Sequence, residues 1–276
     1  MAPRVTFYRP GKSFPAFSVT GAGCSLQCDH CRGRYLQGMR PTLTPDELQR
    51  EAARLSSEGG RGFLLSGGCD RRGRVPLATF AGSVRSIRAS TGLEVNVHPG
   101  LLDEEDAAAI ISSGAEAFSV DVLQDPLTIS GTLHLQASPR DYRRTMELLE
   151  PTERLVPHVC VGLQSEEGEE DTLELIPSYR VHALILLGLM GTKGTPWESR
   201  AVPRERLAQA MRKAVATVTA PVLLGCMRPR GHWEAEAEAI EEGAAGVVNP
   251  SPRTVRWALD KGYRVEDVPS CCALHL

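Results

Sequence analysis

The sequence is poor in several things, and each shortage narrows what the chain is. It has no run of about 18 apolar residues, so no transmembrane helix is expected. Its start, MAPRVTFYRPGKSFPAF, lacks the apolar core of a secretory signal. Lysine is scarce, four of the 31 Lys+Arg. Against 34 Asp+Glu these cations leave a formal net charge of −3, with no basic excess for a general nucleic-acid binder. Neither a nucleic-acid nor a membrane partner is expected, and the expected location is the cytoplasm. There is no Gly/Ser/Pro-rich linker, internal repeat or low-complexity tract. There is no Ser/His/Asp pattern for nucleophilic catalysis. The 276 residues, 42% hydrophobic and 24% charged, have an ordinary globular composition. Cysteine is what the chain has in quantity, with eight. In a reducing compartment that number points to metal ligation or catalysis, not to disulfides.

Short apolar, β-branched runs alternate with amphipathic runs along the whole length. Eight strands are expected, near Phe14–Thr20, Gly62–Ser66, Leu93–His98, Ala117–Asp121, Arg154–Val161, Val181–Leu187, Pro221–Cys226 and Ala245–Asn249. Such runs suit parallel strands covered by helices. Helix starts are marked between them. Thr44 with Glu47 forms a capping-box pattern, Ser251 precedes Pro252, and Asp103 opens an acidic first turn closed by Gly114. Strict alternation of eight strands with eight helices predicts an α/β fold, a (β/α)8 TIM-type barrel, with a doubly wound open sheet as the alternative. One domain over 1–276 is expected, with residues 1–13 as an N-terminal extension and 263–276 as a Cys-containing tail.

Barrel enzymes carry their chemistry on loops at the carboxyl ends of strands. Cys24, Cys28 and Cys31 follow the first strand, Cys69 the second, Cys160 lies near the end of the fifth and Cys226 ends the seventh. Cys271 and Cys272 lie in the tail. A free cysteine is often a small buried hydrophobe, but six at strand ends are harder to explain that way. The strongest motif is Cys24-x₃-Cys28-x₂-Cys31. Three thiolates this close can converge on one metal centre. A [4Fe–4S] cluster normally takes four cysteines, so three leave one iron open. A zinc site would need a fourth Cys or His nearby; His30 lies inside the motif but is expected to point elsewhere.

This spacing after a first barrel strand resembles the radical S-adenosylmethionine (radical SAM) superfamily. The resemblance covers nearly the whole chain. The segments FPAFSVTGAGCSLQCDHCRGRYLQGM, LLSGGCDRRGRVPL, VNVHPGLLD, VPHVCVGL, GTKGTP and LLGCMRPRG, with the terminal Cys-Cys, are similar to biotin-synthase-like members. Among these they resemble the second component of the two-protein lipoyl synthase. The resemblance implies a [4Fe–4S] cluster on Cys24, Cys28 and Cys31 with SAM on the open iron. It implies sulfur insertion into a protein-bound octanoyl chain. The implied partners are an octanoylated lipoyl-carrier protein, a companion radical SAM protein and a reductant such as ferredoxin or flavodoxin. The alternatives are a biotin-synthase-like enzyme of other specificity, and a non-enzymatic iron–sulfur or zinc protein.

Roles for the remaining residues follow from that resemblance. Gly67 and Gly68 stand where the superfamily has a Gly-Gly-Glu element that contacts SAM, with Cys69 in place of the acid and Asp70 as its substitute. A plain turn is the other reading. His98, Asp121, His158 and Gly162 are candidate contacts to SAM or substrate; the two histidines could equally be core residues, and Asp121 a helix cap. Asn96 shares a strand face with His98. Gly191, Gly194 and Thr195 form a weaker candidate loop for the SAM carboxylate. Arg228 and Arg230 are candidates to clamp a substrate carboxylate, or are surface arginines. A sulfur inserter needs a sulfur donor, so a second iron–sulfur cluster is expected on Cys69, Cys226, Cys271 and Cys272, the tail folding over the barrel mouth. Cys160 is the substitute ligand.

Overall fold

Parallel strands buried on both faces need helices outside and something inside, and the chain supplies both. The computed structural model describes residues 2–275; Met1 of the expected extension and Leu276 of the expected tail lie outside the described residues. Eleven strands are present: β1 (Arg4–Tyr8), β2 (Ala16–Ser18), β3 (Arg40–Pro41), β4 (Gly62–Ser66), β5 (Glu94–Val97), β6 (Ala117–Asp121), β7 (Leu155–Val161), β8 (Leu184–Gly188), β9 (Val222–Leu224), β10 (Gly246–Val248) and β11 (Arg264–Val268). The helices are α1 (Pro45–Ser57), α2 (Ala81–Thr91), α3 (Glu104–Ser112), α4 (Pro139–Leu149), α5 (Glu166–Leu175), α6 (Arg204–Thr217), α7 (Trp233–Glu241) and α8 (Pro252–Asp260). No helix among the described residues is long and apolar enough to cross a membrane.

All eight expected strands form, as β2 and β4 to β10, in sequence order and parallel. The closed barrel does not. The ladder runs β11-β1-β10-β9-β8-β7-β6-β5-β4-β2-β3, a linear order with two ends, which makes an open half-barrel. Closure would have paired β2 with β10. Instead β1 takes the edge of β10 and β3 takes the edge of β2. Alternation fixes which strands are neighbours; it does not fix whether the first meets the last. β1 lies in the segment expected as an extension, and β11, paired to β1, in the segment expected as a tail.

Local signals place most helix starts. Thr44 Oγ1 accepts from the Glu47 amide at 3.2 Å, while the Glu47 carboxylate reaches back past Thr44 to the Leu43 amide. Ser138 and Asp141 form a full capping box at the start of α4. Two apolar layers lie between sheet and helices, one centred on Phe63, Leu65 and Leu48, the other on Val159, Leu186 and Met211.

A third apolar group lies on the inner face of the sheet. It joins Tyr8, Ala117, Val156, Ala183, Ile185, Leu223 and Val248 to Cys272 and Ala273 of the tail. The tail therefore does not cover the mouth as expected. It enters the concave face and packs near the starts of β6, β7 and β8, where an open sheet would otherwise leave apolar surface wet. The Tyr8 hydroxyl donates to the His275 carbonyl, and the His275 ring meets Glu94 at 2.9 Å.

At the end of β9 the chain buries Arg228, which is 1% exposed. Its guanidinium donates to the Glu236 carboxylate of α7 at 2.6 Å and to the carbonyls of Gly225 and Val248. Removing one member of a buried pair strands the other charge. Arg228→Met is expected to cost about 3–5 kcal/mol in anaerobic urea unfolding, with most of it regained in Arg228→Met/Glu236→Leu. An unchanged midpoint in the single variant would contradict this account.

Candidate active site

The cysteine loop between β2 and β3 is held by backbone and side-chain contacts from three directions. On one side the Gly68 amide donates to Thr20 Oγ1 at 2.6 Å and the Ser25 amide to the Cys69 carbonyl at 2.8 Å. A Cβ on Gly68 would lie 1.9 Å from the Gly23 carbonyl oxygen and 2.7 Å from Cys24 Cα. No side chain fits there, so this glycine lets the β4 loop lie flat against Cys24. On a second side one turn of π-helix, Thr128–Thr132, leads into a segment that clamps the loop. The Asp29 amide donates to the Thr132 carbonyl at 2.9 Å, and His134 Nε2 sits 3.0 Å from Asp29 Oδ1. On the third side Tyr35 and Thr192 share a hydroxyl hydrogen bond of 2.7 Å. Gln27 and Arg32 have φ of +50° and +43°, a left-handed backbone that side-chain-bearing residues rarely adopt.

Within the loop, ligand atoms of Cys28, His30 and Cys31 lie within 4.8 Å of one another. His30 was expected to point elsewhere; it joins the group, and its Nδ1 is buried without a hydrogen-bond partner. The Cys28 thiol donates to the Leu133 carbonyl at 3.5 Å, and its closeness to Cys31 pushes Cys28 up and holds Cys31 down, to about 4, with His30 also favouring the Cys31 thiolate. Cys24 and Cys69 also bear electrostatically on Cys28. A buried thiolate beside further thiols on one short loop is a donor set that fits an iron–sulfur cluster.

Asp121, His98 and His158 form a wall next to this loop, at the end of β6, just past β5 and in the middle of β7. Their ligand atoms also lie within 4.8 Å of one another. Asp121 is exposed, yet burial is the largest influence on it, as expected at the wall of a concave mouth. Burial alone would raise its carboxyl, but the nearby His98, His158 and His30 outweigh that and hold it at about 2. Burial works against protonating His98, and Asp121 overcomes it and raises the ring. Burial and the charge of His98 together push His158 down to about 4, so it is neutral. Tyr142 of α4 stands near Asp121, Cys69 and Cys28, its hydroxyl pushed up by burial. Neither His30, which was expected to point elsewhere, nor Tyr142, which belongs to no motif, was legible as a site residue.

The other expected residues divide. Cys226, Cys271 and Cys272 gather on the concave face. The adjacent thiols Cys271 and Cys272 shift one another, Cys271 down to about 7 and Cys272 up, while burial and Cys271 raise Cys226. Asn96 links this group to the sheet, its Nδ2 at 3.5 Å from Cys271 Sγ and its Oδ1 accepting from Ser119 at 2.9 Å. Cys69 stands apart from its expected partners, on the Cys24 side. It is pushed up to about 12 by burial first, then by Cys24, Asp121, Asp70 and Cys31. Burial also raises Cys160, near Asp121 and Glu169. Arg228 and Arg230 do not form the expected clamp. Arg228 is consumed by Glu236 and backbone carbonyls, and Arg230 donates to the carbonyls of Cys226 and Asn249. Asp70 Oδ1 accepts the amides of Arg72 and Arg74 and so shapes its own turn. Gly67 is packed against Thr20, Val75 and Val19. Gly162, at φ +90° and expected to contact SAM or substrate, is packed against Val202 and Leu189. The Gly191–Thr195 loop closes on itself, the Gly194 amide donating to Glu198 at 2.8 Å.

No protein-family profile matches the chain. Among curated proteins, a tRNA-2-methylthio-N(6)-dimethylallyladenosine synthase of Clostridium botulinum is 24% identical over 201 residues, covering 67% of this chain and 44% of that protein. The chain thus spans less than half the length of the curated relatives it matches. Among solved structures, methylornithine synthase (PylB) matches with TM-score 0.62 at 16% identity, covering 90% of this chain and 73% of that one. HydG, a maturase of the [FeFe]-hydrogenase, matches with TM-score 0.66 at 15% identity, covering 98% and 65%. At these identities the two solved structures share the fold of this chain.

Two outcomes test this geometry. Gly68→Ala is expected to lower the iron bound per chain on anaerobic reconstitution while far-ultraviolet circular dichroism stays unchanged; full iron loading would show that the close approach does not matter. Asp125, whose carboxylate accepts from Ser165, Leu127 and Thr128, ties the π-turn segment to the loop after β7. Burial would raise it, but those hydrogen bonds hold it at about 2. Its contribution is therefore complete above the ordinary carboxylate range and is lost as pH falls toward about 2. Asp125→Asn is expected to cost about 2 kcal/mol at neutral pH and to flatten the acid limb of the stability curve. An acid limb of unchanged slope would contradict the assignment.

Proposed function

We infer that this chain is a radical SAM enzyme in which Cys24, Cys28 and Cys31 hold a [4Fe–4S] cluster with SAM as co-substrate. The observation that carries the reading is the thiol loop pressed against side-chain-free Gly68, with a Cys31 thiolate favoured inside it. When bound, the cluster supplies the electron that splits SAM into methionine and a 5′-deoxyadenosyl radical. The chain's own residues bind, position and shield. Gly68 brings backbone rather than side chain to the cysteine loop. Leu133, Leu135 and Tyr142 are buried around it and keep water out. The Tyr35–Thr192 pair ties the loop to the segment after β8.

We further propose that the reaction is sulfur insertion into an unactivated C–H bond of a protein-bound octanoyl chain, in the formation of the lipoyl cofactor. The sequence resemblance supports it, as does the gathering of Cys226, Cys271 and Cys272 on the concave face. These three thiols are the proposed ligands of a second, sulfur-donating iron–sulfur cluster. Cys69, drawn to the Cys24 side, is not among them. A companion radical SAM protein and a low-potential donor of the ferredoxin or flavodoxin class complete the proposed system, in the cytoplasm. The curated relatives favour a second reading, in which the sulfur acceptor is a tRNA adenosine. The net charge of −3 offers little to a polyphosphate and favours the octanoyl chain.

Reduced, iron-loaded protein incubated with SAM and either an octanoylated carrier domain or tRNA separates these readings, with and without the companion protein. The expected products are 5′-deoxyadenosine, methionine and thiolated octanoyl groups. Sulfur on tRNA alone would replace the octanoyl reading, and deoxyadenosine without thiolated product would end sulfur insertion. Cys271→Ala/Cys272→Ala is expected to keep SAM cleavage and reduce sulfur transfer to background.

A further inference from the structure

We propose that His98, Asp121 and His158 form a binding site for a divalent first-row transition-metal ion, separate from the cysteine loop. β5, β6 and β7 are neighbours in the sheet, and their stagger sets the middle of β7 beside the carboxyl end of β6 and the residue after β5. Asp121 and His158 are paired in register, and His98 follows β5 directly. The three ligand atoms lie within 4.8 Å of one another. Yet the trio is not closed by its own hydrogen bonds. His98 Nε2 and Asp121 Oδ1 stand 3.7 Å apart, beyond hydrogen-bond length, and the two imidazole centroids 5.4 Å apart.

An independent observation points to a missing partner. His158 Nε2 is buried and has no hydrogen-bond partner among the described residues. Leaving a buried polar atom unpaired costs about 1–3 kcal/mol, so such an atom is usually filled by something. A proton is a poor candidate beside His98, whose own charge Asp121 supports. A cation that accepts a lone pair and displaces the His98 proton fills it. Two imidazole nitrogens and one carboxylate oxygen suit zinc, iron(II) or manganese, whereas magnesium and calcium prefer oxygen throughout. Three protein ligands leave the rest of the coordination sphere to the open mouth, the pattern of a site that receives a substrate group. That group would be a carboxylate, thiolate or other anion, next to the carbon that reacts. The site shares no residue with Cys24, Cys28 and Cys31, and its donors are nitrogen and oxygen, not sulfur.

The probe is zinc(II) alone, added anaerobically to the iron-loaded protein. Bound metal is read by elemental analysis and by X-ray absorption at the zinc edge, neither of which depends on activity or on the proposed reaction. The expected result is about one zinc per chain beyond the iron, with nitrogen and oxygen ligands at about 2.0–2.1 Å. His158→Gln and His98→Ala are each expected to weaken zinc binding about tenfold or more, with iron content unchanged as the check on folding. Zinc with sulfur ligands at about 2.3 Å would place it on cysteines and overturn the proposal. So would zinc uptake unaffected in both variants, or no zinc retained by the parent protein. Release of zinc on adding SAM would assign the three side chains to SAM and overturn it equally.

Discussion

An open parallel sheet has an inner face that nothing in the strands themselves covers, and the rest of this structure depends on how that face is filled. A closed barrel packs its interior with side chains from opposite strands. Here the ladder ends at β3 and β11, and the interior is completed by the segment that follows β11. Cys272 and Ala273 sit at the bottom of the concavity among Ala117, Val156 and Ala183. The small residues at the strand starts make sense in that light, since they leave room for a backbone to enter. Above the plug the face stays open, and Asp121 and the histidines beside it line the opening.

The site is divided by the same geometry. The cysteine loop is fixed from outside by backbone contacts that tolerate no side chain at Gly68. The polar wall is fixed by the strands, and the second thiol group by the plug. Three separate parts of the chain therefore meet around one cavity, each held by its own packing. The imidazole and carboxylate groups of the wall shift one another's protonation strongly because they share a low-dielectric setting with few partners.

Much of this was legible in the sequence. Strand order, the placement of the first three cysteines and most helix starts follow from periodicity and caps, which are local signals. What the sequence did not carry was long-range. β1 looked like an extension because five residues, RVTFY, give too short a pattern to judge. Closure depends on whether β2 reaches β10, which no local propensity encodes. Arg228 looked like a surface ligand because its partner Glu236 lies on a helix whose inward side is not marked by charge. The placement of Cys69 beside Cys24 rather than the tail thiols depends on the glycine contact, which joins loops from different strands. The tail was expected at the mouth for want of any signal of what β11 would pair with.

The pairing of β1 has a consequence for how the protein comes to be. It is the first strand of the described residues, and both of its neighbours, β10 and β11, come from their far end. Until those are made, its amides and carbonyls have only water, and the pocket has no floor. Contacts of such long sequence separation form slowly and late. The thiol loop, by contrast, takes two of its three clamps from β4 and the segment before α4, and only the third, Thr192, from beyond β8. Metal loading at the loop and sealing of the interior are thus separable in time, and a chain caught between the two would present reactive thiols to an unfinished cavity.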